Sequence, residues 1–167
     1  YIFSLTYSGN VFNMSGGTIN LSGANSKGSI YINSSDENIN VTGGTVNFDV
    51  TNGNNAVITS RAPFFNVNML NSSSSGNIII NSGSSGTGAG ETSLTPNGLT
   101  VLNDLRIDNT SGNGTTFDAN NFDLNVNGSL TIDNGAIVDL TGMEMTFGDE
   151  GSSSNDIKTG ATITLDT

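Results

Sequence analysis

Apolar and polar residues alternate in short runs along this chain. Phe12 and Met14 are followed by Ile19 and Leu21, then Ile39 and Val41 by Val46 and Phe48. Further on, Leu99 and Val101 precede Leu105 and Ile107, and Leu124 and Val126 precede Leu130 and Ile132. A period of two over short stretches, rich in Ile, Val and Thr and bounded by Gly and Asn, predicts half-buried strands. No helical period of ten or more residues occurs, so the chain reads as all-β.

The runs also repeat. FNMSGGTINL (12–21) returns as INVTGGTVNF (39–48), 27 residues on, and a partial third copy begins at Phe65-Asn66-Val67, 26 residues after Ile39-Asn40-Val41. LTVLNDLRIDN (99–109) returns as LNVNGSLTIDN (124–134) at an offset of 25, while FDANNFDLNVN (117–127) and VDLTGMEMTFG (138–148) lie 21 apart. A period in the twenties marks a solenoid, in which each coil is too small to bury its own apolar face and stacking supplies the core. The expected architecture is a parallel β-solenoid, a β-helix of about six or seven coils, and parallel crossovers strongly favour the right hand. The alternative is a β-sandwich, whose strands come at similar intervals but give no reason for ten-residue blocks to recur in register.

Residues 1–167 are expected to form a single domain, interrupted by a Ser/Gly-rich excursion at 82–98. Asn at equivalent positions of successive coils (13 and 40, 20 and 47, 109 and 134) predicts side-chain amide ladders along the stack. Gly16-Gly17 and Gly43-Gly44 suit a turn that needs positive φ.

Composition narrows the chemistry. Asn, Ser, Thr and Gly make up more than half of the chain, and His, Cys and Trp are absent. Without imidazole or thiol, neither a Ser-His-Asp nor a Cys-His nucleophile can be built, and zinc, haem and iron–sulfur sites lose their usual ligands. A net charge of −11 argues against nucleic acid as a partner. No apolar run is long enough to span a membrane as a helix. The acids are concentrated late, with 4 up to residue 100 and 11 beyond it.

Those late acids are the candidate site. In the proposed alignment Asp108 lies over Asp133, Asp118 over Asp139 and Asp123 over Glu144. Like charges about 5 Å apart cost roughly 0.8 kcal/mol in water and more when desolvated. Either water screens them or a cation sits between them, and Ca²⁺ is the cation that carboxylate and Asn oxygens suit. No segment matches an EF-hand or the nonapeptide Ca²⁺ repeat. The plainer expectation is a solvated acidic face, with no resident cofactor or metal. Arg106, in a strand beside Asp104 and Asp108, reads as an exposed charge partner. A carboxylate-only glycosidase or lyase would want aromatic platforms and basic groups that this chain scarcely has. The chain is therefore not expected to be an enzyme. Thr residues are too sparse for an ice-binding array, and the Asn-x-Ser/Thr sequons at Asn13, Asn40 and Asn71 are what chance supplies in such a composition.

The phrases FNMSGGTINLSG, INVTGGTVNF, GLTVLNDLRIDN and FDANNFDLNVNGSLTIDNGA resemble the β-strand repeats of very large secreted proteins of Bacteroidota, over residues 12–148 or so. Those are surface adhesins and filament-like proteins, many exported by the type IX secretion system with a separate C-terminal sorting domain, of which no trace occurs in this sequence. The resemblance implies an extracellular, cell-surface location and a spacer or adhesive role. It also implies secretion machinery, flanking repeats or stacked copies, and surface glycans as partners, with no particular ligand. The last residues read as a strand without a polar cap, and open solenoid ends require a cap, a domain or a subunit. The expectation is thus a section of a longer rod or a subunit that stacks end to end. A carbohydrate-binding or polysaccharide-cleaving β-helix is the second reading.

Overall fold

The computed structural model of the protein describes residues 2–22, 29–51, 54–73, 76–81, 98–120, 122–141, 145–147, 156–157 and 162–164. Each alternating run becomes a strand, and the strands follow one another in coils. The first coil is β1 (Phe3–Leu5) and β2 (Phe12–Ser22), the second β3 (Ile30–Ile32) and β4 (Ile39–Val50), the third β5 (Ala56–Ser60) and β6 (Asn66–Asn71). The fourth is β7 (Ile78–Ile80), β8 (Gly98–Val101) and β9 (Leu105–Ile107); the fifth is β10 (Thr116–Asp118), β11 (Asp123–Val126) and β12 (Leu130–Ile132). The sixth is β13 (Ile137–Asp139), β14 (Met145–Phe147) and β15 (Asp156–Ile157), and β16 (Thr162–Thr164) opens a seventh.

Strands pair with their equivalents one coil away, which makes three walls. One runs β1-β3-β5-β7-β10-β13-β16, the second β2-β4-β6-β9-β12-β15, and the third β8-β11-β14. Among the described residues every strand pairing is parallel. That is the β-solenoid expected from the repeats, and it excludes the β-sandwich, which packs antiparallel sheets face to face. Seven strands at about 4.8 Å spacing give a stack about 30 Å tall. Among the described residues no helix is long and apolar enough to cross a membrane.

The core consists of columns rather than a centre. Ala56, Ile78, Phe117 and Val138 are register partners on the first wall, and all are at most 1% exposed. On the second wall Phe48, Met69, Ile107 and Ile132 form an equally buried column. Each coil covers the apolar face of the next, so burial is shared along the axis. The Phe48 and Phe64 rings meet edge to face at 5.8 Å between centroids, linking the second and third coils.

The Gly-Gly pairs form a bend inside a strand rather than a turn between strands. In β2 and β4 the register slips between Met14 and Ser15 and again between Ser15 and Thr18. Gly17 and Gly44 supply φ of +78° and +97° there. A Cβ on Gly44 would also lie 2.9 Å from the Gly16 carbonyl oxygen, so the bend needs glycine for space as well as conformation.

Two sequence expectations are corrected. The partial third copy does not begin in register at an offset of 26: Asn66 pairs with Thr45 and Val67 with Val46, an offset of 21. The third coil lacks the Gly-Gly corner, and Phe64, bridged to Val101, takes that place in fewer residues. The excursion expected at 82–98 loses its last residue, because Gly98 begins β8 in register with Asp123, where a Cβ would collide with the Asp123 carbonyl. The rest of it, 82–97, lies outside the described residues.

Candidate functional site

The chemistry gathers where the second wall ends in the fourth and fifth coils. Leu105 and Ile107 point inward and are buried, so Arg106 between them must point outward. Past Ile107 the strand stops because its polar residues capture the backbone. Asp108 Oδ1 accepts from the Thr110 N–H at 2.8 Å, and the Thr115 hydroxyl donates to the Asp108 carbonyl. Asn109 Oδ1 accepts from the N–H groups of Gly114 (2.8 Å) and Thr115 (3.3 Å). Gly112 and Gly114, at φ of +73° and +79°, complete the loop.

This loop is tied to both neighbouring coils. Ser111 Oγ and Asn113 Nδ2 donate to the Asn71 carbonyl at 2.7 and 3.0 Å on one side, and Asn71 Nδ2 returns a hydrogen bond to the Gly114 carbonyl at 3.2 Å. On the other side Asn109 Nδ2 donates to the Asn134 carbonyl at 2.8 Å.

Register carries Asp108 over Asp133, since Ile107 pairs with Ile132. The protein itself answers the repulsion expected there. Arg106 Nη2 lies 2.6 Å from Asp133 Oδ2, and Nη1 lies 3.8 Å from Asp108 Oδ2. The guanidinium thus stands between two carboxylates on successive coils, held in its charged form first by its hydrogen bond to Asp133. The expected partner Asp104 instead accepts from the Ser129 N–H at 3.0 Å. For Asp108, burial pushes the carboxyl pKa up. Hydrogen bonds from the Thr110 N–H and hydroxyl, the Arg106 charge and the Asn68 amide outweigh that, and the group ends below the usual carboxylate range.

The second predicted pair, Asp118 and Asp139, are direct register partners on the first wall. Each is turned into its own following turn. Asp118 Oδ1 accepts from the Asn120 N–H (2.8 Å), and Asp139 Oδ1 from the Thr141 N–H (3.1 Å) and hydroxyl (2.6 Å). The Thr141 hydrogen bonds hold the Asp139 carboxyl below its ordinary value. Asp123 opens β11, and Glu144 lies outside the described residues. Among the described residues no three carboxylates gather in a metal-binding group.

The amide ladders are formed unevenly. Asn47 Nδ2 donates to Asn20 Oδ1 at 2.7 Å, as expected, whereas Asn109 reaches the Asn134 backbone rather than its side chain. Two members of the network escaped the sequence reading. Asn66 Oδ1 accepts from Asn103 Nδ2 (2.8 Å) and the Asp104 N–H (3.2 Å), and Asn71 anchors the 109–114 loop. Aligning Asn66-Val67-Asn68-Met69 with Thr45-Val46-Asn47-Phe48 would have found the first. Locally Asn71 Oδ1 accepts from the Ser73 N–H at 2.9 Å, but its hydrogen bonds to the 109–114 loop span 40 residues or more and leave no signal in the sequence.

Outside the ion pair lies an open groove of about 460 Å³, lined by Arg106, Asn109, Thr110, Gly112, Asp133 and Asn134. Comparison with known protein families, with curated proteins and with solved structures finds no match for the chain.

Proposed function

We propose that this chain is a non-catalytic structural and adhesive segment, a β-solenoid portion of an extracellular surface adhesin or filament. The observation that carries the reading is the unbroken column of parallel pairings from β1 to β16. Such a frame is stiff because successive coils are hydrogen-bonded on two walls, and on a third from β8 to β14, and it presents outward side chains in rows at the strand spacing of about 4.8 Å. Its composition is polar and acidic, which suits a body held in solvent, and Asp49, Asp104 and the Arg106–Asp133 pair tie successive coils together. Ca²⁺ between the carboxylates belongs to this proposal as a bridge at Asp118 and Asp139, which are register partners, and not at Asp108 and Asp133, where Arg106 already stands.

Beads coated with the protein, washed over cell layers under flow, test the reading. Retention above that of beads coated with an unrelated acidic protein is expected, with no sugar released into the wash. Absence of retention, or release of soluble oligosaccharide in proportion to the protein, would overturn it. The groove beside Arg106 favours a carbohydrate-binding form of the same role.

A further inference from the structure

We propose that the groove over the Arg106–Asp133 pair is a binding site for a neutral sugar, engaged through adjacent hydroxyl groups; this rests on the adhesive reading and specifies its ligand class. Three properties of the groove select that class.

The first is size. At about 460 Å³ it falls within the range of small-ligand sites and is wide open, so it suits one or two units of a longer chain that enters and leaves at its ends. The second is lining. Arg106, Asn109, Thr110, Gly112, Asp133 and Asn134 offer guanidinium, carboxylate, amide, hydroxyl and backbone groups, and no large apolar side chain. A lipid or an aromatic ligand would find only side-chain stems and a methyl group to cover. The third is charge. One guanidinium stands against the carboxylates of Asp108 and Asp133 in a chain of net charge −11, which repels phosphate, sulfate and acidic sugars.

The fixed pair then provides a donor beside an acceptor. Arg106 has five N–H donors, and its side chain is 45% exposed although Nη2 is committed to Asp133. Asp133, its side chain 13% exposed, also lines the groove: its Oδ2 takes the hydrogen bonds from Arg106 Nη2 (2.6 Å) and the Asn109 N–H (3.3 Å), and among the described residues no hydrogen bond engages its Oδ1. Neighbouring hydroxyls on a sugar ring, each both donor and acceptor, match that arrangement. The floor is already ordered, because Asn109 and Asn71 hold the 109–114 loop to its neighbouring coils. Binding therefore does not have to order it first.

The test is a set of ¹H–¹⁵N spectra of the folded chain titrated with the methyl glycosides of glucose, galactose, mannose and N-acetylglucosamine, with sialyllactose as the acidic probe. Expected are shifts confined to the amides of residues 109–112 and 134 and to Arg106 Nε–H, with at least one neutral glycoside and not with sialyllactose. Asp133→Asn should weaken that binding by about tenfold or more, as loss of a charged hydrogen-bond acceptor does, while Asp118→Asn leaves it unchanged. The dispersion of the Asp133→Asn spectrum reports whether the variant is folded, and Asn134→Ala, which removes only an exposed amide, serves if it is not. No shift with any neutral glycoside, shifts scattered over the surface, or shifts indifferent to both groove variants would overturn the proposal. Bead retention on cells without any groove shift would remove the groove and leave the adhesive reading standing. Groove shifts without retention would do the reverse.

Discussion

Arg106 Nη2 and Asp133 Oδ2 lie 2.6 Å apart although the two residues belong to successive coils. Their closeness depends on register, since Arg106 is level with Thr131 and reaches two positions further, on the same face, to meet Asp133. A slip of one residue between β9 and β12 would turn Arg106 toward the core.

Arg106→Ala should cost little by itself, because an exposed ion pair contributes about 0.2–1 kcal/mol. Asp108 and Asp133 are then left facing each other, so the total should reach about 1 kcal/mol at low ionic strength and shrink as salt screens them. Denaturant unfolding at low and high salt measures both effects.

Acid should weaken the same corner. The Asp108 carboxyl is held below its ordinary value in the folded chain, so its contribution is present above the unfolded value of about 3.9 and is lost as pH falls through the folded one. Asp139 acts in the same direction through Thr141. Unfolding followed from neutral pH to pH about 3 should show a stability loss that is smaller in Asp108→Asn, whose neutral side chain has no charge to lose.

Gly44→Ala should be among the more damaging changes outside the core. At φ +97° with the Gly16 carbonyl oxygen 2.9 Å from the new Cβ, it meets both strain and collision. A cost of about 1–3 kcal/mol is expected. Gly16→Ala, which meets nothing within 4 Å and has no positive φ, is the matched control. Thermal melts of the two variants should separate clearly.

Most of the frame was legible because a solenoid writes its long-range pairings as short-range repetition. Phe12 with Ile39, Leu99 with Leu124 and Phe117 with Val138 are all register partners at the offsets read from the sequence. The third coil misled because its corner is shorter: Phe64 replaces the Gly-Gly bend, which shifts the repeat by several residues. The candidate site was legible as a column of acids. Its resolution by Arg106 was not, since the sequence places Arg106 nearest Asp104 and Asp108, while its closest partner lies 27 residues away. Asn71 was invisible for the same reason: its partners Ser111, Asn113 and Gly114 lie 40 residues or more away, and no repeat announces them.

Phe117→Ala should expose how cooperative the stack is. The ring is fully buried between Ile78 and Val138, and truncation of such a side chain costs about 3–5 kcal/mol. In a linear stack the loss should fall first on the adjoining coils. Hydrogen exchange should therefore accelerate in β7, β10 and β13 more than in β2 and β4.

The central claim is that the chain works as a frame that holds surfaces and does not turn them over. The most direct measurement incubates the protein with insoluble neutral polysaccharides and follows, in one sample, its depletion from solution and the appearance of new reducing ends. The account predicts depletion onto at least one polysaccharide with no reducing ends above the protein-free control, however long the incubation. Reducing ends that accumulate with time and with protein concentration would contradict it.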